Sequence, residues 1–278
     1  MTDFLAVLSF AAVPFIASLL FAVVLPPLGA GLHLRNESLL GIALPPVGTA
    51  LLALASAFHD DHGQGQGFFD FVLVVAGLAL LTAFLPPGAG PRKTNLRSRS
   101  LLLAALFCIA NAAVLLVMAL STHARAELLH ALNGEMLAVS PTAVWATAVG
   151  VAGAGLVFFR FRGHVVAYIL DEETYSIRTP GARLMSLVFP AVAVVLVAAA
   201  VLMEGPILAS GLLLLPPLLA ERPARGVMSY LGASMGVGLV GTTGGFLAAL
   251  AADLPPAPTA VAGVLLVGVL WRLWRARR

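Results

Sequence analysis

Side chains of the types that can bind divalent transition metals are concentrated in two polar stretches of this 278-residue chain, FHDDHGQGQG and STHARAELLHALNGE. Imidazole and carboxylate groups are ligands that such metals accept. The candidate ligands are His59, Asp60, Asp61, His62, His123, Glu127 and His130. The last three stand at i, i+4 and i+7, which would share one face of a helix. A cation-collecting surface is one interpretation, and an ordinary solvated loop is the other.

A further carboxylate, Glu204, opens the apolar run EGPILASGLLLLPPLLA. An ionisable side chain inside a membrane span costs about 3 kcal/mol or more, so such a residue is a functional candidate. Placement at the membrane interface, where water relieves this cost, is the alternative. The same run contains Gly205, Gly211, Pro216 and Pro217. We expect the glycines to allow close helix packing and the prolines to kink the helix.

The motifs of nucleotide binding and hydrolysis are missing from the sequence. A phosphate-binding loop needs GxxxxGK[ST], and the only lysine, Lys93, lacks the preceding glycine. Neither HExxH nor GxSxG occurs, and the single cysteine, Cys108, excludes CxxC motifs and internal disulfides. We therefore predict that the chain is not an enzyme and holds no permanent cofactor. Any energy must come from a partner or from an ion gradient.

The composition is that of a membrane protein, with 60% hydrophobic and 10% charged residues. Soluble domains carry roughly 25% charged residues, and a membrane span needs about 20 apolar residues. Apolar runs fall at about 4–25, 38–58, 68–87, 100–121, 141–160, 183–203, 205–220, 227–252 and 257–274. We predict an all-α fold with a single transmembrane domain over residues 1–278 and eight to nine transmembrane helices.

The basic residues between these runs predict the orientation. If the N-terminus lies outside, 15 of the 16 basic residues fall on the cytoplasmic side and only Arg125 lies outside. The positive-inside rule therefore selects an external N-terminus and a cytoplasmic C-terminus. Because topology accounts for the basic balance, no nucleic-acid partner is expected.

The longest predicted cytoplasmic connector covers residues 160–183 and contains DEETYSIRTPGAR. Asp171 is expected to cap a short helix that Pro180 and Gly181 end. A short amphipathic helix on this face would suit a soluble partner, and an ordinary loop is the alternative.

Three stretches together resemble the permease subunits of ABC importers for zinc, manganese and iron. In GPILASGLLLLPPLLA, Gly205, Pro216 and Ala220 match the family pattern in register. LLHALNGEMLAVSP is similar to a family segment of the LFGxxLAVS kind, and DEETYSIRTPGARLMSL resembles the cytoplasmic helix that docks on the ATPase. The end, ADLPPAPTAVAGVLLVGVL, is similar to the family's last outer loop and helix.

The resemblance implies partners and a location. It implies a homodimer, or a heterodimer with a second permease, together with ABC ATPase subunits and an extracytoplasmic substrate-binding protein. The implied location is the lipid bilayer of the bacterial inner membrane, which the chain crosses several times. The ATPase-coupling residues that it implies are Asp171, Glu172, Glu173, Tyr175 and Gly181.

The sequence departs from the family in the second apolar run. The family places an Asp there and a His four residues later, which resemble a metal-coordinating gate. Ile42 and Pro46 occupy these positions and cannot bind a metal. Glu204 is then the membrane carboxylate that remains as a candidate ligand.

Three functions are consistent with these observations. The first is import of a divalent metal ion, with ATP hydrolysed by a separate subunit. The second is import of a metal chelate or another small solute; a chelate brings its own ligands and therefore fits the missing gate. The third is a gradient-driven secondary transporter that uses Glu204 as an ion site. Inverted repeats would favour the third function, but none is evident in the sequence.

Overall fold

The computed structural model describes residues 2–58, 66–84, 93–120, 141–170, 175, 182–221 and 226–277. These residues form nine helices, which we number in chain order. They are α1 (Thr2–Leu34), α2 (Ser38–Phe58), α3 (Gln66–Phe84), α4 (Lys93–Leu120), α5 (Pro141–Arg160), α6 (Arg162–Leu170), α7 (Ala182–Ala220), α8 (Val227–Ala252) and α9 (Pro256–Ala276). Prolines lie inside α1, α2 and α7, which membrane helices tolerate because their neighbours satisfy the freed carbonyl groups.

Helix α7 turns back on itself at Gly205. This residue has φ 79° and ψ 164°, a conformation outside the helical region. Before it, Phe189 lies against Gly31 of α1; after it, the backbone of Leu213 lies against Gly29 of the same helix. A straight helix would separate Phe189 from Leu213 by about 36 Å. Both residues can reach neighbouring positions of α1 only because the chain reverses between them.

The reversal divides α7 into a first limb, residues 182–204, and a second limb, residues 206–220. The apolar runs predicted at 183–203 and 205–220 correspond to these two limbs. By length and composition, six helices of the described residues are able to cross a membrane, or seven if the bent pair α5–α6 is one span. That count takes the apolar part of α7, Leu187–Ala220, as one span, and α3 has a shorter apolar part, Phe69–Phe84. The predicted all-α, polytopic membrane fold is confirmed, while its orientation stays a prediction.

The bundle has two chemically different ends. The end that contains His33, Arg35 and Arg99 is termed the basic end. The other end is termed the opposite end, and on that side of the bundle Ser18, midway along α1, contacts Glu204 at the end of the first limb of α7. About 22 Å of helix separates Ser18 from His33, and α1 continues for 16 residues beyond Ser18 in the other direction.

Helices α1, α2 and α7 form the core of the bundle, whereas α4 and α9 expose most of their apolar side chains. Fully buried large residues of these three core helices include Phe21, Leu25, Leu28, Leu44, Leu196 and Leu212. Packing rather than hydrophobicity drives helix association in lipid, so small residues favour close approach. Gly29 accordingly allows the backbone of α1 to reach that of Leu213 in α7.

The glycines and prolines of α7 have separate positions and surroundings. Gly211 lies against α9, where an added Cβ would come within 2.7 Å of a methyl group of Val261. The non-helical residue inside α7 is Gly205, whereas the helix continues through Pro216 and Pro217. The structure thus places the break of this helix eleven residues before the first of these two prolines.

Replacing Gly205 with alanine is expected to destabilise the protein. A residue with a Cβ at this φ and ψ is strained by about 1–3 kcal/mol, so thermal unfolding in detergent should show a lower midpoint. Gly232→Ala is the matched control, because Gly232 is exposed in α8 and an added Cβ there has no atom within 4 Å. Equal midpoints for the two variants would contradict the reversal.

Candidate functional site

Glu204 is buried inside the bundle, where α1 meets the reversal of α7. The residue is 3% exposed, and Ser18 Oγ donates a 2.8 Å hydrogen bond to its Oε2. The other carboxylate oxygen, Oε1, is also buried and has no hydrogen-bond partner among the described residues. The two oxygens therefore differ: a hydrogen bond fixes one, and the other is buried without such a bond.

A carboxylate in these surroundings needs a positive partner. One hydroxyl donor does not offset the free-energy cost of burying an ionised carboxylate, which in proteins is normally paired with a charge or bound to a metal. Within the described ranges, no basic side chain forms an ion pair with Glu204. The arrangement suits a proton or a cation that reaches Oε1.

The reversal of α7 adds to the negative character of this site. Glu204 is the last residue of the first limb, so it lies at the C-terminal, negative end of that helix dipole. Pro206 begins the second limb, a position that suits proline because its missing N–H would have no helical partner there. The local sequence Glu-Gly-Pro thus ends one limb, reverses the chain and starts the next.

Glu204 lies beyond the gate positions of α2, towards the opposite end. Gly48 of α2 lies against Val201, where an added Cβ would be 3.6 Å from the valine methyl groups. Glu204 follows three residues later, about 4.5 Å further from the basic end. It therefore lies at a different level of the bundle from Ile42 and Pro46 and does not take their place.

Apolar side chains separate Glu204 from the basic end. Leu25 and Leu28 of α1, Leu44 of α2 and Leu212 of α7 are fully buried in one cluster. A solute held at Glu204 would reach the basic end only after these helices move.

At the basic end, Glu37 connects the α1–α2 turn to α4. Arg99 Nη1 donates a 2.8 Å hydrogen bond to Glu37 Oε1, and Arg35 Nη2 lies 3.7 Å from the same oxygen. These three side chains are only 10–12% exposed. The guanidinium of Arg35 also lies 4.6 Å from the centre of the Tyr168 ring in α6. One cluster therefore joins α1, α2, α4 and α6.

Tyr168 extends this cluster towards the predicted coupling segment. Its ring lies edge to face with that of Tyr175, with centres 6.2 Å apart, and His164 Nδ1 lies 3.1 Å from Tyr175 Oη. Tyr175 is the predicted coupling residue within the described part of the chain. The others, Asp171, Glu172, Glu173 and Gly181, lie outside it.

The ligands predicted in the two polar stretches also lie outside the described residues. They are His59, Asp60, Asp61, His62, His123, Glu127 and His130. Across the part of the chain that is described, no three or more His, Cys, Asp or Glu side chains are grouped to hold a metal ion. Glu204 stays a predicted ligand, and the side chain that contacts it within the described residues is Ser18 rather than a second acid.

Sequence similarity assigns the family. The ABC 3 transport family matches residues 8–273, nearly the whole chain. The chain belongs to this family. PsaBC from Streptococcus pneumoniae in complex with Fab contains a chain of the same fold, with a TM-score of 0.69 at 19% sequence identity. That match covers 97% of this chain and 94% of the other. The resemblance to ABC permeases is confirmed, and the ABC 3 permease is a multi-pass membrane transport protein rather than an enzyme.

Sequence patterns pointed to only part of the site in this ABC 3 permease. Ser18 is a hydroxyl residue in an apolar run, which is a weak signal because such residues often bond their own helix backbone. Glu37 lies two residues after Arg35 in a short turn, where the sequence alone predicts ordinary solvated loop residues. Their partner Arg99 lies 62 residues further along the chain, a separation that no local motif reveals.

Proposed function

We propose that this permease is the membrane-spanning subunit of an ATP-driven importer for a divalent metal ion such as zinc, manganese or iron. The observation that carries the proposal is the buried Glu204 carboxylate, whose Oε1 has no partner among the described residues. Membership of the ABC 3 transport family favours ATP over an ion gradient as the source of energy. Because the chain lacks a phosphate-binding loop, a separate subunit must hydrolyse the ATP.

In this proposal, Ser18 and Glu204 receive an ion that enters from the opposite end. The 2.8 Å hydrogen bond from Ser18 fixes Oε2 and directs Oε1 to the incoming ion. The carboxylate compensates the positive charge, while water or other groups complete the coordination. The buried leucines between α1, α2 and α7 then keep the ion from passing until the helices move.

The basic end is proposed to face the cytoplasm, because the basic residues concentrate there. An ATPase subunit would dock on residues 160–183. Its movement would reach the bundle through the ring contact between Tyr175 and Tyr168 and through Arg35, which lies over Tyr168. Glu37 and Arg99 would then pass the movement to α2 and α4.

The remaining partners follow from the family. A second permease copy, or a related permease, would complete the membrane unit, and an extracytoplasmic binding protein would deliver the ion to the end that contains Glu204. The bacterial inner membrane is the proposed location. No permanent cofactor is required of this chain.

Element content of whole cells tests the proposed function. Cells that lack this chain should accumulate less of one divalent metal than cells that carry it, as measured by mass spectrometry of washed cells grown at limiting metal. Restoring the wild-type chain should restore that metal. Unchanged zinc, manganese and iron in the deletion strain would contradict metal import.

Reversing the charge of the proposed docking helix should prevent ATPase binding. In the variant Asp171→Lys/Glu173→Lys, we expect the ATPase subunit to be lost when the permease is purified, because the acidic docking surface becomes basic. The control is Asp60→Lys/Asp61→Lys, the same charge reversal in a stretch predicted to lie on the other side of the membrane. Equal recovery of ATPase with both variants would exclude the docking role.

A further inference from the structure

A second polar site lies at the basic end, between the ends of α1 and α7. His33 Nε2 lies 3.5 Å from Glu221 Oε2. The other ring nitrogen, Nδ1, lies 2.8 Å from the hydroxyl of Ser38 at the start of α2. The ends of three helices thus bring together an imidazole, a carboxylate and a hydroxyl, none of which the proposed coupling uses.

The hydrogen bond to Ser38 orients the imidazole for binding a cation. In the tautomer with the ring proton on Nδ1, that N–H can donate to the Ser38 oxygen, and the lone pair of Nε2 then faces Glu221. Metal-bound histidines typically donate their second ring N–H to such a partner. Two facing lone pairs repel each other unless a positive species lies between them.

The distance between the two groups matches that of two ligands on one metal ion. With metal–ligand bonds of about 2.1 Å and tetrahedral geometry, two ligand atoms lie about 3.4 Å apart. The observed separation between Nε2 and Oε2 is 3.5 Å. A shared ion therefore requires little rearrangement of either side chain.

A cavity of about 790 Å³ opens beside this pair, and its wall includes His33, Ser38, Glu221 and Tyr230. Tyr230 is 4% exposed, and its buried hydroxyl has no hydrogen-bond partner among the described residues. The Tyr230 and His33 rings lie with their centres 6.4 Å apart. An unsatisfied phenol in the wall of a polar cavity indicates that a further polar group or a bound water belongs there.

A second, separate space of only about 10 Å³ lies beside this cavity. This space is lined by Gly29, Gly41 and Leu213 and shares His33 and Ser38 with the large cavity. It lies between α1, α2 and α7, the helices of the buried core that separates Glu204 from the basic end. The pair of His33 and Glu221 therefore lies at the basic end of the helices between which an ion from Glu204 would have to pass.

We propose that His33 and Glu221 form a binding site for a divalent transition metal ion at the basic-end mouth of the permease, with Tyr230 bonding a water on that ion. Two protein ligands hold an ion less firmly than the three or four of resident zinc sites. Weak binding suits an ion that is about to be released. The identification of this ion with the transported one rests on the proposed function.

Equilibrium dialysis of the purified chain in detergent against zinc chloride tests the site. The background variant carries Glu204→Gln together with alanine in place of His59, His62, His123 and His130. Fewer of the other candidate ligands can then bind zinc. It should still bind about one zinc ion per chain. Adding Glu221→Gln should weaken zinc binding at least about tenfold, whereas Glu221→His, which keeps a ligand atom, should retain it. Glu221 is an exposed side chain, so both variants should keep the thermal midpoint of the background.

Two results would overturn the site: no zinc bound by the background variant, or zinc binding unchanged by Glu221→Gln. The first would show that a proton alone joins His33 and Glu221. The proposed function can fail independently of the site. If zinc binds at this pair but the deletion strain has unchanged metal content, the site is supported and metal import is contradicted.

Discussion

Replacing Glu204 with glutamine is expected to lower the initial rate of metal uptake at least about tenfold, the smallest loss that removal of a group beside a bound metal normally causes. Glutamine has nearly the same shape and can still accept the 2.8 Å hydrogen bond from Ser18, but it carries no charge to compensate a cation. Stability should not fall, since the substitution removes a buried group whose ionised form is costly. Uptake of radioactive zinc, manganese and iron by cells measures the loss of transport. The thermal midpoint of the purified chain measures stability.

Asp253→Asn is the matched control for this substitution. Asp253 is an exposed carboxylate in the turn between α8 and α9, and its left-handed backbone, with φ 54°, accommodates asparagine well. This variant should transport at the wild-type rate. Uptake at the wild-type rate by Glu204→Gln would show that Glu204 is not part of the transport pathway. A large fall in the unfolding midpoint of this variant would assign the residue a structural role instead.

Breaking the Glu37–Arg99 pair should uncouple ATP hydrolysis from transport. Glu37 and Arg99 are about 10% and 12% exposed, and removing one partner of a buried pair costs about 3 kcal/mol or more. Glu37→Gln and Arg99→Ala should each lower the unfolding midpoint. Since the two residues share one interaction, the double variant should lose less stability than the sum of the losses in the two single variants. The ratio of metal transported to ATP hydrolysed should fall in all three variants.

Arg277→Ala is the control for the loss of a basic side chain, because Arg277 is exposed in the C-terminal turn. It should keep both the midpoint and the transport ratio. A wild-type ratio in Glu37→Gln and Arg99→Ala would show that this pair stabilises the basic end without transmitting movement.

The fold was predictable from the sequence because apolar length decides where a chain crosses a membrane. The runs at 183–203 and 205–220 were separated around Glu204 and Gly205, and the structure reverses at Gly205. Glu204 itself was identifiable because an ionisable residue beside an apolar run is rare and costly.

The contacts between helices were not predictable in the same way. Helices that are apolar on all sides carry little periodic signal to show which face points inward. Ser18 and Glu204 are 186 residues apart. The pairing of His33 with Glu221 depends on the reversal of α7, which returns the chain to the basic end. These contacts arise from the packing of α1, α2 and α7, which the order of residues along one helix does not specify.

Initial-rate uptake by a deletion strain carrying the wild-type chain tests the central claim most directly. Radioactive zinc, manganese and iron are each supplied once as the free ion and once as a preformed chelate, at limiting concentration. Metal import through Glu204 predicts that one free ion enters faster than in the deletion strain alone and that the Glu204→Gln chain does not restore this rate. Uptake of a chelate but of no free ion, or no difference from the deletion strain for any form, would contradict the account.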